Sequence, residues 1–168
     1  MRYANEWHVD RCPGGDVNYE SGRIEVALET LFESVDRAEE ISLRAAQSCG
    51  FGEDDCQKIC LAVREGVVNA IRYGNQQQRD KKIVLTCALC GDKFVVHILD
   101  QGCGFDLADV PDPLAEENLL KTSGRGIFLM RTFMDEFAVF RPSGGGAELV
   151  MAKHLRTSSK KASGTQNG

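Results

Sequence analysis

Nowhere in this chain does an apolar run approach the roughly 20 residues that a membrane-spanning helix needs. Residues 1–16 lack the apolar core of a signal peptide, so the sequence predicts a cytoplasmic protein. Excess positive charge is missing too. The formal net charge is −5, which gives no electrostatic basis for a general nucleic-acid surface. There is no internal repeat, no Walker A loop, and no Rossmann Gly-x-Gly-x-x-Gly between a strand and a helix. The seven cysteines (Cys12, Cys49, Cys56, Cys60, Cys87, Cys90, Cys103) are odd in number and follow no secretory signal, which predicts reduced thiols. Cys87 and Cys90 form a CxxC, and Cys56 and Cys60 a CxxxC. No second CxxC follows and His97 falls in a predicted strand, so small buried thiols are a better reading than a zinc site.

What is present is an ordinary globular composition, 42% hydrophobic and 27% charged, in 168 residues. That length suits one domain with a single core. Residues 1–22 read as an irregular N-terminal arm, 23–155 as the folded domain, and 156–168, rich in Ser, Lys, Gly and Gln, as a disordered tail. Residues 23–29 alternate like a half-buried strand. Residues 32–49 have helical spacing and stop at Gly50. Gly52-Glu-Asp-Asp55 opens a second helix that ends near Tyr73-Gly74-Asn75. Residues 82–89 and 93–99 form a predicted hairpin. A long loop from Asp106 to Ser123 leads to a helix over 124–134, then to strands over 136–141 and 147–154. Directly joined strands predict an α+β fold: a two-layer sandwich with a mixed, mostly antiparallel sheet covered on one face by about three helices.

Three stretches carry chemistry. In the second helix, Ile59, Ala62, Val63, Gly66, Val67, Ala70 and Ile71 line a core face. Glu65 and Asn69 stand one turn apart on another face. A carboxylate beside a carboxamide supplies a proton acceptor and a neutral oxygen ligand of the kind Mg²⁺ takes along with phosphate oxygens. The plainer reading is two solvated polar residues. The second stretch is Asp100-x-Gly102-x-Gly104, which can present a carboxylate to an amino group such as that of adenine while backbone approaches closely. Its plainer reading is a tight turn after a strand. The third is Ser123-Gly124-Arg125-Gly126, where glycines at a helix start free N–H groups for an anion; a simple glycine-rich turn reads the same way.

In this order, Glu-x3-Asn on a helix, Asp-x-Gly-x-Gly after a strand and Gly-x-Gly opening a helix, the chain resembles the histidine-kinase-like ATPase superfamily with its Bergerat nucleotide-binding fold. It is more closely similar to the bacterial anti-sigma-factor serine/threonine protein kinases. The residues that carry this are Ala62-Val-Arg-Glu-Gly-Val-Val-Asn-Ala-Ile-Arg-Tyr-Gly-Asn75, Asp100-Gln-Gly-Cys-Gly-Phe-Asp106 and Ser123-Gly-Arg-Gly-Ile-Phe-Leu-Met-Arg-Thr-Phe-Met-Asp-Glu136.

The resemblance implies an ATP-dependent kinase. Glu65 matches the acidic residue that activates the attacking hydroxyl, and Asn69 the asparagine that binds Mg²⁺ between the phosphates. Asp100 matches the adenine-binding aspartate, with Gly102 and Gly104 shaping that wall. Gly124 and Gly126 match glycines facing the phosphates, and 106–122 the lid over ATP. Arg72, Tyr73, Phe105, Ser123, Arg125, Ile127 and Ala147 are carried along as nucleotide-side positions. Ala147 departs from the pattern, because relatives often have Thr there; a lost hydroxyl would weaken binding by about 0.5–1.5 kcal/mol. The implied partners are a sigma factor and a STAS-domain antagonist, with a homodimer as the assembly. A binding module that holds ATP without transferring phosphate is the alternative. A histidine-kinase catalytic fragment is disfavoured, because His8, His97 and His154 lie on no dimerising helical pair.

Overall fold

A computed structural model of the chain describes residues 22–104 and 125–156. The arm, the loop after Gly104 and the tail lie outside these residues, as do Phe105, Ser123 and Gly124. The elements are β1 (Ile24–Glu29), α1 (Glu33–Ser48), α2 (Glu53–Asn69) continued by a π turn (Ala70–Gly74), β2 (Lys82–Cys90), β3 (Lys93–Leu99), α3 (Arg125–Phe133), β4 (Glu136–Phe140) and β5 (Glu148–His154). The strands form one sheet in the order β1-β2-β3-β5-β4. Every pair is antiparallel, so among the described strands the sheet is purely antiparallel rather than mixed.

Local chemistry explains the turns. β2 and β3 pair up to Cys90 opposite Lys93, leaving a two-residue turn in which Gly91 takes φ 63°. A residue without Cβ adopts that left-handed conformation freely. α2 opens on Glu53, Asp54 and Asp55, carboxylates that complement the helix dipole.

The helices share one face of the sheet with the main core. Ile59, Ala62, Val63, Val67, Ala70 and Ile71 of α2 and its π turn are all buried there with Leu28, Ile83, Leu85, Val96, Ile98 and Met151. Phe51, after α1, meets Phe94 of β3 edge-on at 5.8 Å between ring centres. Gly66 sets how closely α2 lies on the sheet. A Cβ there would stand 2.6 Å from Ile98 Cδ1 and 2.9 Å from Leu149 Cδ2. A smaller cluster of Ala88, Cys90, Val95, Val150 and Ala152 forms apart from this core. Among the described residues no helix is long and apolar enough to cross a membrane.

Candidate active site

The helical spacing of α2 brings Glu65 and Asn69 together, and α3 completes the group. Both side chains are half-buried. Gly126, in the first turn of α3, lies directly against them. A Cβ on it would be 2.7 Å from Glu65 Oε2, and 3.5 and 3.6 Å from Asn69 Nδ2 and Oδ1. The missing Cβ lets this backbone approach the pair without displacing the Glu65 carboxylate. The first turn of a helix carries N–H groups without intrahelical partners and the positive end of the dipole. A carboxylate, a carboxamide and an anion-attracting helix end therefore meet at one place. Their oxygens, both half-buried and both within reach of Gly126, suit a hard cation shared with phosphate.

The second group forms where β3 ends beside the start of β5. Asp100 is buried, and its main-chain N–H donates to the Ala147 carbonyl at 3.0 Å. Its Oδ1 accepts from the N–H of Gly102 at 2.8 Å and of Ala147 at 3.0 Å. Among the described residues both main-chain donors fall on Oδ1, which leaves Oδ2 to take a donor from a ligand. Backbone closes in around this carboxylate. A Cβ on Gly74 would collide with Asp100, one on Gly102 with the Gly74 carbonyl, and one on Gly146 with the Asp100 carbonyl. Gly104, at φ 73°, abuts Gly146 and Arg141. Ala147 is thus a wall residue whose backbone holds Asp100, while its side chain contributes no hydroxyl.

α2 joins the two groups, since Glu65 and Asn69 lie on it and Gly74 ends its π turn. The nine steps along the helix from Glu65 to Gly74 rise about 13 Å, the scale of an extended nucleoside triphosphate. The π turn is where the sequence expected continuous helix. There Asn75 N–H reaches back to the Ala70 carbonyl at 2.7 Å. Such single wide turns are rare and concentrate at functional sites. Arg72 places its guanidinium 5.4 Å from the centre of the exposed Phe32 ring. Tyr73 is largely exposed. No described contact joins either residue to the two groups. Arg125 is exposed at the start of α3, and Ile127 packs against the core.

Sequence reasoning missed Gly74, Asn75 and Gly146. Gly74 and Asn75 read as a helix stop, and Gly146 only as the turn residue paired with Ala147 at the start of the last strand. Their close approaches come from segments far apart in the chain, and no local pattern signals them. Cys56 and Cys87 are buried in the core, and Cys49 packs against it. Burial raises the thiol pKa of Cys49, Cys56 and Cys60, and pushes Cys87 up to about 12 with help from neighbouring Cys49 and Cys60. Cys49, Cys56, Cys60, Cys87 and Cys103 are free thiols, as expected, whereas Cys90 is disulfide-bonded and corrects the expectation that all are reduced.

Comparison with known proteins identifies the family and the fold. The chain is 30% identical over 106 residues to an anti-sigma F factor of Clostridium perfringens, covering 62% of this chain and 76% of that protein. It is 24% identical over 116 residues to the serine-protein kinase RsbW of Listeria monocytogenes, covering 66% and 73%. The crystal structure of the RsbU and RsbW domains of a Mycobacterium tuberculosis protein superposes with a TM-score of 0.57 at 17% identity. That match covers 79% of this chain and 32% of the other, and shows a common fold. The profile of the histidine kinase-like ATPase domain matches residues 28–153, a span that contains the α2 pair, Asp100 and the start of α3. The chain belongs to the histidine kinase-like ATPase family.

Proposed function

We propose that this protein is an ATP-dependent serine/threonine kinase that phosphorylates a STAS-type anti-sigma-factor antagonist and, in alternation, sequesters a sigma factor. The observation that carries the reading is the convergence of Glu65, Asn69 and Gly126. ATP lies along the π-turn end of α2, with its base at Asp100 and its phosphates at the start of α3. The base donates its amino hydrogen to Asp100. Gly126 lets the helix backbone face the phosphates, and Arg125 precedes it at the exposed start of the same helix. Asn69 would hold Mg²⁺ through its carboxamide oxygen, and the ion would supply charge neutralisation at the phosphates.

Glu65 accepts the proton as a serine or threonine hydroxyl of the partner attacks the γ-phosphorus. The new bond joins that oxygen to phosphorus, the bond to the β-phosphate oxygen breaks, and ADP departs. Most of the catalysis is positioning and charge stabilisation. The names of the relatives, anti-sigma F factor and serine-protein kinase, support both arms of the proposal. A cytoplasmic homodimer is the working assembly. A module that only binds ATP has no need of a carboxylate beside the phosphate end.

The test is calorimetric titration of ATP with Mg²⁺ into wild type, Asn69→Ala and Asp100→Asn, followed by phosphate transfer to a STAS-domain protein. Binding should weaken at least about tenfold in both variants. Transfer should fall by about 10²–10⁴ in Glu65→Gln while binding survives. Transfer that persists in Glu65→Gln removes Glu65 from the role of base.

A further inference from the structure

Asn75 is fully buried, yet every polar atom it carries is engaged. Its backbone N–H reaches the Ala70 carbonyl, and its carbonyl accepts from Gln78. Its Nδ2 donates to Thr30 Oγ1 at 2.8 Å and to the Lys82 carbonyl at 3.0 Å. Its Oδ1 accepts from the Gln101 N–H at 2.7 Å. Gln101 follows Asp100 directly, and its own Oε1 accepts from the Lys82 N–H at 2.7 Å. One carboxamide therefore pins the segment that carries the base-binding carboxylate to the ends of two strands.

The hydrogen balance requires an amide. Thr30 spends its hydroxyl hydrogen on the Lys81 carbonyl at 2.7 Å, so its oxygen can only accept from Asn75. The Lys82 carbonyl can only accept as well, and the Gln101 N–H can only donate. Two donors and one acceptor at this reach are what a carboxamide provides; an aspartate provides no donor. The backbone is bent to deliver it. The π turn precedes Asn75, and Gln76 and Gln77 follow at φ 52° and 59°, the left-handed region that non-glycine residues rarely enter.

We infer that Asn75 is a positioning residue for nucleotide-base recognition: it holds the Asp100–Gly102 segment so that the Asp100 carboxylate faces the amino group of adenine. The inference rests on the nucleotide reading above and deepens it. Asp100 is set from two sides. Ala147 fixes Oδ1 through its N–H, and Asn75 fixes the following peptide through Gln101. Loss of the second anchor frees the carboxylate to turn, which affects the base contact and leaves the Glu65 and Asn69 end in place.

The experiment compares two ligands on the full chain in the presence of Mg²⁺. One is ATP. The other is purine riboside triphosphate, which keeps the ring and phosphates and lacks the 6-amino group. Wild type should prefer ATP. Asn75→Ala should lower that preference about tenfold, whereas Asn69→Ala should weaken both ligands alike and keep the preference. A purely structural Asn75 would lower the melting temperature and leave the ratio unchanged, and an unchanged ratio in folded Asn75→Ala overturns the proposal. Should Asn75→Ala not fold, Thr30→Val and Thr30→Ser give the same reading. Val removes an acceptor from Asn75 and should lower the preference, while Ser retains it; equal ratios in the two overturn the proposal. Wild type that binds both ligands equally strips Asp100 of the base contact and overturns it while the phosphate site stands. Wild type that binds neither overturns the nucleotide reading together with this one.

Discussion

Gly126 shows how one missing atom shapes chemistry. Its Cα sits where a side chain would press on Glu65 Oε2 at 2.7 Å. That oxygen ends a flexible, half-buried side chain, so Gly126→Ala should displace the carboxylate at little cost to the fold. We expect phosphate transfer to fall at least about tenfold, approaching the 10²–10⁴ of a lost general base, with unfolding free energy within about 0.5 kcal/mol of wild type. Single-turnover transfer beside denaturant melts checks this; unchanged transfer would detach Gly126 from the placement of Glu65. As candidates, Glu65, Asn69, Asp100 and Gly126 were legible in the sequence because each falls in a short motif with its own chemistry. Asn75 was not, because its value lies in partners 45, 7 and 26 residues away.

At the scale of elements, α2 organises the rest. Its apolar face was readable residue by residue from the 3.6-residue period, and all of it is buried. The closeness of its contact with the sheet was not readable, because Gly66 looks like any helical glycine until Ile98 and Leu149 are brought beneath it. Gly66→Val should force α2 off β3 and β5. Overpacking of this kind costs about 1–3 kcal/mol, or a melting point lower by several degrees. Nucleotide affinity should fall with it, since the same helix bears Glu65 and Asn69. Calorimetric melting of the variant tests the first effect; a variant as stable as wild type would mean that the contact relaxes freely. The π turn is likewise invisible in sequence. No residue type in Ala70–Gly74 favours it, and it leads straight into Asn75, whose side-chain partners lie elsewhere in the chain.

In the molecule as a whole the two ends are held differently. The end bearing Asp100 is closed by glycine backbone and by main-chain N–H groups that donate to its carboxylate. The other end is closed by charge. Lys153, almost fully buried, donates to the Phe133 carbonyl at 2.8 Å and to Asp135 at 3.3 Å, with Asp55 of α2 at 3.8 Å. Glu136 meets Lys93 at 2.7 Å and His154 at 2.6 Å. Burial by itself would raise both carboxyl pKa values. For Asp135 the His154 N–H and Lys153 outweigh it, and for Glu136 Lys93 and His154 do, so both lie below their ordinary values. A depressed folded-state pKa contributes stability that is complete above the unfolded value, about 3.9 for Asp and 4.3 for Glu, and is lost as pH falls through the folded one. Unfolding free energy should thus drop as pH falls below about 4, and Asp135→Asn should flatten that drop while lowering stability at neutral pH. Denaturant melts across pH measure both; an acid limb of equal slope in the variant would exclude Asp135 as a contributor.

The sequence by itself determined the order of elements, the buried face of α2, the α+β class and the three motifs. Each of these depends on local spacing, which periodicity and residue chemistry reveal directly. Only the tertiary structure decided that the five described strands pair antiparallel throughout, that α2 widens into a π turn, and that Asp100 is clamped between Ala147 and the Asn75 network. Those features arise from contacts between residues distant in the chain. Such contacts exist only once the hydrophobic face of α2 has settled on the sheet and brought the ends of β3 and β5 beside it.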